Sequence, residues 1–128
     1  MNKTQWISAL RSGKYKQARG QLKTSKGYCC LGVLCDLTAG EWKGNQFIYQ
    51  GWKNTFLVPD NLADELGIAG AGYYFHKDLL YDYLPKKLVN TAVTEAPERI
   101  DYANLSTLND AGATFEQIAN LLELNHET

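Results

Sequence analysis

The segment 14–21 contains the residues best suited to binding a phosphorylated ligand. Arg19 offers a planar guanidinium group that can bind phosphate through two parallel hydrogen bonds. Tyr15 offers a flat ring for a base or ribose, Gln17 offers an amide that recognises polar edges, and Gly20 permits close approach of the backbone. The same pattern is also typical of an exposed edge strand, whose lysines prevent pairing with another sheet.

The charges are distributed unevenly along the chain, although the net charge is only −1. Residues 1–35 contain seven lysines and arginines and no acid, whereas residues 95–128 contain seven acids and Arg99 as the one cation. The basic region could attract an anionic ligand, or it could pair with the acidic region within one chain or across a dimer. The sequence leaves both alternatives open.

The basic segment and a polar helix ending at 109–112 together form one candidate ligand-binding site. Its residues are Arg11, Lys14, Tyr15, Gln17, Arg19, Asn109 and Asp110. Extended nucleic acid is not expected as the ligand, because a domain that binds it is usually strongly basic overall.

Three cysteines, Cys29, Cys30 and Cys35, lie in one apolar run. A cysteine nucleophile would need a base such as His76, but a buried cysteine usually behaves as a small hydrophobic residue. We expect no disulfide and a reducing, cytoplasmic compartment. The cysteine spacing does not match a zinc site, and His76 and His126 are distant from it in sequence.

No glycine-rich phosphate-binding motif occurs in the sequence. We therefore expect no catalytic residue, no metal and no cofactor, and a protein that is not an enzyme. The 128 residues are 45% hydrophobic, which fits one globular domain over 1–128. No apolar run approaches the ~18 residues that a membrane helix requires, so no membrane association is expected.

Hydrophobic spacing and capping residues predict an α+β fold, in which helices pack on a small antiparallel sheet and the C-terminus forms an αα-hairpin. The predicted helices are one capped by Asn2 or Thr4 and ended at 12–13, then 28–37, 61–66, a turn within 76–84, 102–111 and 114–122. A hairpin is predicted from strands 46–50 and 55–58, with further extended segments at 14–22 and around 88–93. Gly32 is expected to let another element pack closely against its helix.

Four blocks of the sequence are similar to a family of small proteins common in bacteriophage genomes. The blocks are WISALRSGKYKQ (6–17), YCCLGVLCDL (28–37), LVPDNLA (57–63) and LNDAGATFEQIA (108–119). The resemblance implies a protein of the infected bacterium's cytosol and carries no established activity. Small phage proteins without catalytic motifs often act stoichiometrically, as inhibitors of host proteins or by sequestering immune signals.

The residues and the setting together suggest two functions. The first is a homo-oligomeric protein that sequesters an anionic nucleotide immune signal, of the cyclic nucleotide or cyclic ADP-ribose type, without turnover. The alternative is a protein–protein inhibitor or regulator of a host protein, anchored by aromatic side chains. The anchor candidates are Trp42, Trp52, Tyr73 and Tyr74.

Overall fold

The computed structural model describes residues 1–124, and its first element is the predicted N-terminal helix, α1 (Lys3–Arg11). Asn2 Oδ1 accepts a hydrogen bond from the Gln5 N–H at 2.9 Å, and Gln5 Oε1 accepts one from the Asn2 N–H at 2.8 Å. This reciprocal cap satisfies amides that a helix start leaves free, and it confirms Asn2 as the capping residue. His126 and Glu127 lie outside the described residues.

The remaining elements are short helices and strands that alternate along the chain. The helices are α2 (Cys30–Asp36), α3 (Asp60–Leu66), α4 (Lys77–Leu80), α5 (Lys86–Thr94), α6 (Leu105–Ala111) and α7 (Phe115–Leu124). The strands are β1 (Lys23–Thr24), β2 (Gly27–Tyr28), β3 (Glu41–Lys43), β4 (Gln46–Tyr49), β5 (Trp52–Asn54), β6 (Tyr74–His76) and β7 (Tyr102–Asn104). The predicted α+β class is confirmed.

All the strand pairs in residues 1–124 are antiparallel, and they form three small sheets rather than one. β1 pairs with β2, β3–β4–β5 form a three-stranded sheet, and β6 pairs with β7. The C-terminal αα-hairpin is also confirmed: α6 ends at Gly112, whose φ of 118° suits glycine, and Thr114 and Gln117 cap α7 through bonds of 2.9 and 3.1 Å.

Most of the apolar run folds as a helix, as predicted, but α2 is shorter than the predicted 28–37 because Tyr28 belongs to β2 and Cys29 is the N-cap. α2 is part of the hydrophobic core. Its residues Cys30 to Cys35 are all buried. A Cβ atom added to Gly32 would lie 1.8 Å from the backbone oxygen of Leu22. The predicted close approach at Gly32 is therefore confirmed, and the element that approaches is the segment before β1.

The helices enclose this core from several sides. α1 packs against α7 and α2, and α5 packs against α6. The Trp6 indole N–H donates to the Cys30 carbonyl at 3.0 Å, so the buried ring of α1 is joined to the start of α2. No helix within residues 1–124 is long and apolar enough to cross a membrane.

The predicted hairpin forms, but its second strand is Trp52–Asn54 and not 55–58. Gln50 and Gly51 make a two-residue turn with φ values of 48° and 85°. Positive φ at both positions is typical of the type I′ turn, whose twist matches that of the flanking strands. The strand ends early because Asn54 Oδ1 accepts from the Phe56 and Leu57 amides at 3.0 and 3.1 Å.

Two further predictions near the C-terminus are wrong. The strand expected around 88–93 is the helix α5, in which Val89 and Ala92 are buried three residues apart on one face. The helix expected to start at Tyr102 starts at Leu105, because Tyr102 belongs to β7 and Asn104 caps the helix in a reciprocal pair with Thr107.

The segment 14–22, predicted as extended, contains no regular strand and is bent at Tyr15 and over 20–22. Its backbone contacts β2 through the Ala18 amide, which donates to Tyr28, and through the Lys16 carbonyl, which accepts from Tyr28, both at 2.8 Å. The Leu22 backbone adds bonds to Thr55 and Cys29 at 2.9 and 3.0 Å. Between these two anchors, the side chains of Asn109 and Asp110 bind Ala18 and Gly20.

We expect Gly32→Ala to lower the free energy of unfolding by about 3 kcal/mol, because the new methyl group would collide with backbone that cannot rotate away. Urea unfolding followed by circular dichroism measures the change. The control is Gly70→Ala, whose Cβ would come no closer than 3.3 Å to any atom and which should cost less than about 1 kcal/mol. Equal losses in the two variants would contradict the packing argument.

Candidate functional site

The candidate site residues lie in three separate places in the structure. Gln17 and Arg19 lie beside Asn109 and Asp110. Lys14 and Tyr15 line a groove next to α1, and Arg11 faces α7. The predicted proximity of segment 14–21 to the end of α6 is confirmed. The seven predicted site residues, however, do not line one common cavity.

Asn109 is the centre of the first group, and its side chain is fully buried. Its Oδ1 accepts from Gln17 Nε2 at 2.9 Å and from the Cys30 amide at 3.1 Å, and its Nδ2 donates to the Ala18 carbonyl at 2.9 Å. One amide therefore joins segment 14–22, the start of α2 and the end of α6. Asn109 lies beneath the surface, where it positions its neighbours.

Arg19 is held at the end of α6. Its Nε donates to the Asn109 carbonyl at 3.2 Å, and the next amide, of Gly20, donates to Asp110 Oδ1 at 2.9 Å. A cation is favoured at this end of a helix because the last carbonyls are not paired within the helix. Arg19 is exposed and forms no ion pair with any residue in the described part of the chain.

A cleft of about 430 Å³ opens between Arg19 and the β1–β2 turn. Its lining residues are Gln17, Ala18, Arg19, Thr24, Ser25 and Lys26. We call it the Arg19–Lys26 cleft. The lining includes two cations, two hydroxyl groups and an amide, and it includes no acid. Lys26 also has no ion-pair partner among residues 1–124.

Tyr15 is directed into a different part of the fold. Its hydroxyl group donates to Asp36 Oδ2 at 2.7 Å, and its ring contacts Tyr28 edge-on at 5.1 Å between centroids. Burial and the bond to Asp36 raise the pKa of Tyr15 to about 12. Tyr15 and Lys14 line the groove beside α1, of about 590 Å³, so Tyr15 offers no stacking face to the Arg19–Lys26 cleft.

The rings around Tyr15 form an aromatic row that the sequence analysis did not identify. Tyr28 contacts Trp42 at 5.9 Å, and Trp42 contacts Phe47 at 4.9 Å. The Lys23 ammonium lies 5.1 Å above the Trp42 ring. Because these rings come from segment 14–22, β2, β3 and β4, no local spacing in the sequence could have indicated the row.

Arg11 pairs with the acidic C-terminal region of its own chain. Its Nε lies 3.3 Å from Glu116 Oε2, and its Nη atoms bond to Glu123 and Asn120. The intrachain alternative of the sequence analysis therefore applies to Arg11. It does not apply to Lys14, Arg19 or Lys26, which form no ion pair within residues 1–124.

All three cysteines are free thiols buried in the core. Burial raises the pKa of Cys29 to about 11 and raises the pKa of Cys30 and Cys35 well above the usual thiol range. His76 does not contact them through a hydrogen bond; its Nδ1 accepts from the Asp78 amide at 3.1 Å and so caps α4. The described residues hold no group of three or more side chains able to bind a metal.

The aromatic anchor candidates have very different environments. Trp42 is part of the aromatic row, Tyr73 lies 4.6 Å beneath the Lys3 ammonium, and Tyr74 donates to Glu98 at 2.7 Å. Trp52 is 56% exposed. Of the four, Trp52 has the most surface free for a partner.

Residues 1–126 match the family described as a domain of unknown function (DUF8296), and the chain belongs to that family. No curated protein and no solved structure matches the chain.

We expect Asn109→Ala to lower the free energy of unfolding by about 3 kcal/mol, because it leaves the buried Cys30 amide and Ala18 carbonyl without partners. Chemical denaturation measures the loss. Asn120→Ala makes the same change at an exposed position of α7 and should cost less than about 1 kcal/mol. If Asn109→Ala lowers the free energy of unfolding by as little as Asn120→Ala, the hydrogen bonds of Asn109 do not hold segment 14–22 in place.

We expect the native protein to resist thiol reagents, because burial both shields the three sulfur atoms and disfavours their thiolate forms. Ellman's reagent at pH 8 should label fewer than one thiol per native chain within minutes, and all three after unfolding in urea. Rapid labelling of a native thiol would indicate a reactive cysteine and revive the catalytic alternative.

Proposed function

We propose that this protein binds a small phosphate-bearing ligand in the Arg19–Lys26 cleft and sequesters it without chemical turnover. The observation that carries this proposal is the juxtaposition of Arg19 and Lys26 at one cleft that no acid lines. Neither cation has an ion-pair partner among the described residues, although Arg11 eight positions earlier is fully engaged with acids.

The chemistry of the lining supports an anion with several oxygen atoms. A guanidinium and an ammonium group form strong charge-assisted hydrogen bonds to phosphate. The hydroxyl groups of Thr24 and Ser25 add neutral donors, and the volume of about 430 Å³ lies within the usual range of small-molecule sites. Arg19 is already fixed by its bond to Asn109, so little order is lost when the ligand binds.

Binding without turnover is supported by the chemistry that surrounds the cleft. Its lining contains no cysteine, histidine or carboxylate that could act as nucleophile or general base. The three thiols are buried elsewhere, in the core. The ligand would therefore be held by charge and hydrogen bonds and released unchanged.

The resemblance to bacteriophage proteins supports a more specific form of the proposal. In the cytosol of an infected bacterium, the ligand would be a nucleotide immune signal of the cyclic nucleotide or cyclic ADP-ribose type. No aromatic ring lines the cleft, so recognition of the base would need further surface. A second copy of the chain would supply that surface, and we include a homo-oligomer in the proposal.

We expect calorimetry with cyclic dinucleotides, cyclic trinucleotides and cyclic isomers of ADP-ribose to identify a ligand of micromolar or higher affinity. Arg19→Ala should weaken that affinity by about 10- to 150-fold, the effect of losing a hydrogen bond to a charged group. Lys26→Ala should weaken it in the same direction, since it removes the second cation of the cleft.

The control is Lys87→Ala, which removes an exposed cation of α5 that does not line the cleft. It should bind as the wild type does. The proposal is contradicted if folded protein binds no member of the panel, or if Arg19→Ala and Lys26→Ala bind as tightly as Lys87→Ala. Sedimentation equilibrium with and without ligand tests the homo-oligomer.

A further inference from the structure

The lining of the Arg19–Lys26 cleft consists mostly of hydrogen-bond donors that the chain itself leaves unused. Arg19 donates through Nε to the Asn109 carbonyl, and its Nη groups form no hydrogen bond or ion pair within residues 1–124. The same is true of the Lys26 ammonium group and the Ser25 hydroxyl group. Thr24 Oγ1 accepts from the Lys26 amide at 3.1 Å, so its own proton is available to a ligand. The cleft therefore offers two cations and two hydroxyl donors.

The rest of the lining adds little for the recognition of a base. Both N–H groups of Gln17 are engaged, because Nε2 donates to Asn109 Oδ1 at 2.9 Å and to the Ala113 carbonyl at 2.7 Å. Ala18 is apolar, and no carboxylate is present. A nucleobase presents both donors and acceptors, whereas a phosphate unit presents acceptor oxygens alone. The lining is therefore complementary to the phosphate part of a ligand.

The backbones that carry the two cations are held together by contacts between segment 14–22 and the β1–β2 hairpin. The Tyr28 amide donates to the Lys16 carbonyl, and the Tyr28 carbonyl accepts from the Ala18 amide, both at 2.8 Å. A Cβ atom added to Gly27 would lie 2.2 Å from the Lys16 oxygen, so the hairpin packs directly on this segment. Each cation is one residue away from one of these contacts, and both charges are thus concentrated at one place.

The acids that contact segment 14–22 do not neutralise these charges. Asp110 Oδ1 accepts from the Gly20 amide at 2.9 Å, and Asp36 accepts from the Tyr15 hydroxyl group at 2.7 Å. Neither acid lines the cleft, and neither forms an ion pair with its cations. Lys23 of the same hairpin adds a further positive charge. The local charge favours a ligand that brings more than one negative charge to the cleft.

We propose that the cleft selects a phosphate unit with two adjacent negative charges over an isolated phosphodiester, an inference that rests on the proposed function. A phosphate monoester carries a charge of about −2 on three acceptor oxygens, and a pyrophosphate bridge joins two charged phosphates directly. A cyclic mononucleotide carries one such charge, and a cyclic dinucleotide separates its two charges across its ring. Of the two signal types considered above, the cyclic ADP-ribose type, which contains a pyrophosphate, is therefore favoured.

Calorimetry with four adenosine compounds tests this selectivity, because they share a base and differ in phosphate. AMP and ADP-ribose carry two adjacent charges, whereas cyclic AMP and cyclic di-AMP carry isolated ones. The tighter of the first two should bind the full-length protein at least about 10-fold more tightly than either cyclic compound, since a second charge close to two cations adds attraction. Tighter binding of AMP would identify the unit as a terminal phosphate, and tighter binding of ADP-ribose would identify it as a pyrophosphate.

Lys26→Gln tests whether the second cation sets the preference. It removes the charge and keeps an N–H donor, so it should weaken the binding of AMP and ADP-ribose more than that of cyclic AMP and bring their affinities close together. Lys87→Gln is the matched control, because it removes the same charge from an exposed position of α5 outside the cleft. It should keep the wild-type preference. Circular dichroism checks that both variants are folded.

The inference is overturned, and the proposed function stands, if a cyclic compound binds as tightly as AMP and ADP-ribose and Arg19→Ala weakens that binding. It is also overturned if Lys26→Gln lowers all affinities by the same factor, because Lys26 then does not distinguish the charge of the ligand. If the folded protein binds none of the four compounds and none of the cyclic isomers of ADP-ribose, the proposed function itself is contradicted and the inference fails with it.

Discussion

The buried amide of Asn109 is the interaction on which the surface chemistry of this protein depends. Backbone groups that lose contact with water must find partners, and the Cys30 amide and Ala18 carbonyl find theirs in one side chain. Segment 14–22 has too little strand pairing to hold itself in place. The hydrogen bonds of Asn109 take the place of the strand–strand hydrogen bonds that the segment lacks. Arg19, whose Nε donates to the Asn109 carbonyl, is positioned as a result.

The fold gives the basic residues of the N-terminal region two kinds of position. Some contact other side chains of the chain, and others lie at the surface without an ion-pair partner among residues 1–124. Arg11 fixes α1 to α7 through Glu116 and Glu123. Lys23 lies over the aromatic row. Arg19 and Lys26 are left at a cleft without acids. The basic residues of the N-terminal region therefore supply internal ion pairs and also the two cations of the cleft, which we propose as an anion-binding site.

Leu22 connects the segment that lines the cleft to the core. Its amide donates to the Thr55 carbonyl, its carbonyl accepts from the Cys29 amide, and its backbone lies against Gly32 of α2. Arg19 and Ala18, three and four residues earlier, line the cleft. The cleft therefore lies next to backbone that packs directly on α2.

The sequence by itself determined the features that depend on neighbours within about four residues. These include a capped start of α1, assigned to Asn2 or Thr4, the cap of α7, the helical apolar run and the glycine turn before α7. It also indicated that the basic segment and the end of α6 belong together. Only the tertiary structure decided that Asn109 is buried and that Tyr15 joins the aromatic row. It also decided that Arg11 forms ion pairs whereas Arg19 forms none within residues 1–124. The strand β7 was likewise missed, whereas the helix α5 was missed although the i, i+3 spacing of Val89 and Ala92 is a local signal. Apart from α5, the deciding partner is distant in the chain in each case, and local periodicity carries no information about which distant surfaces will pack together.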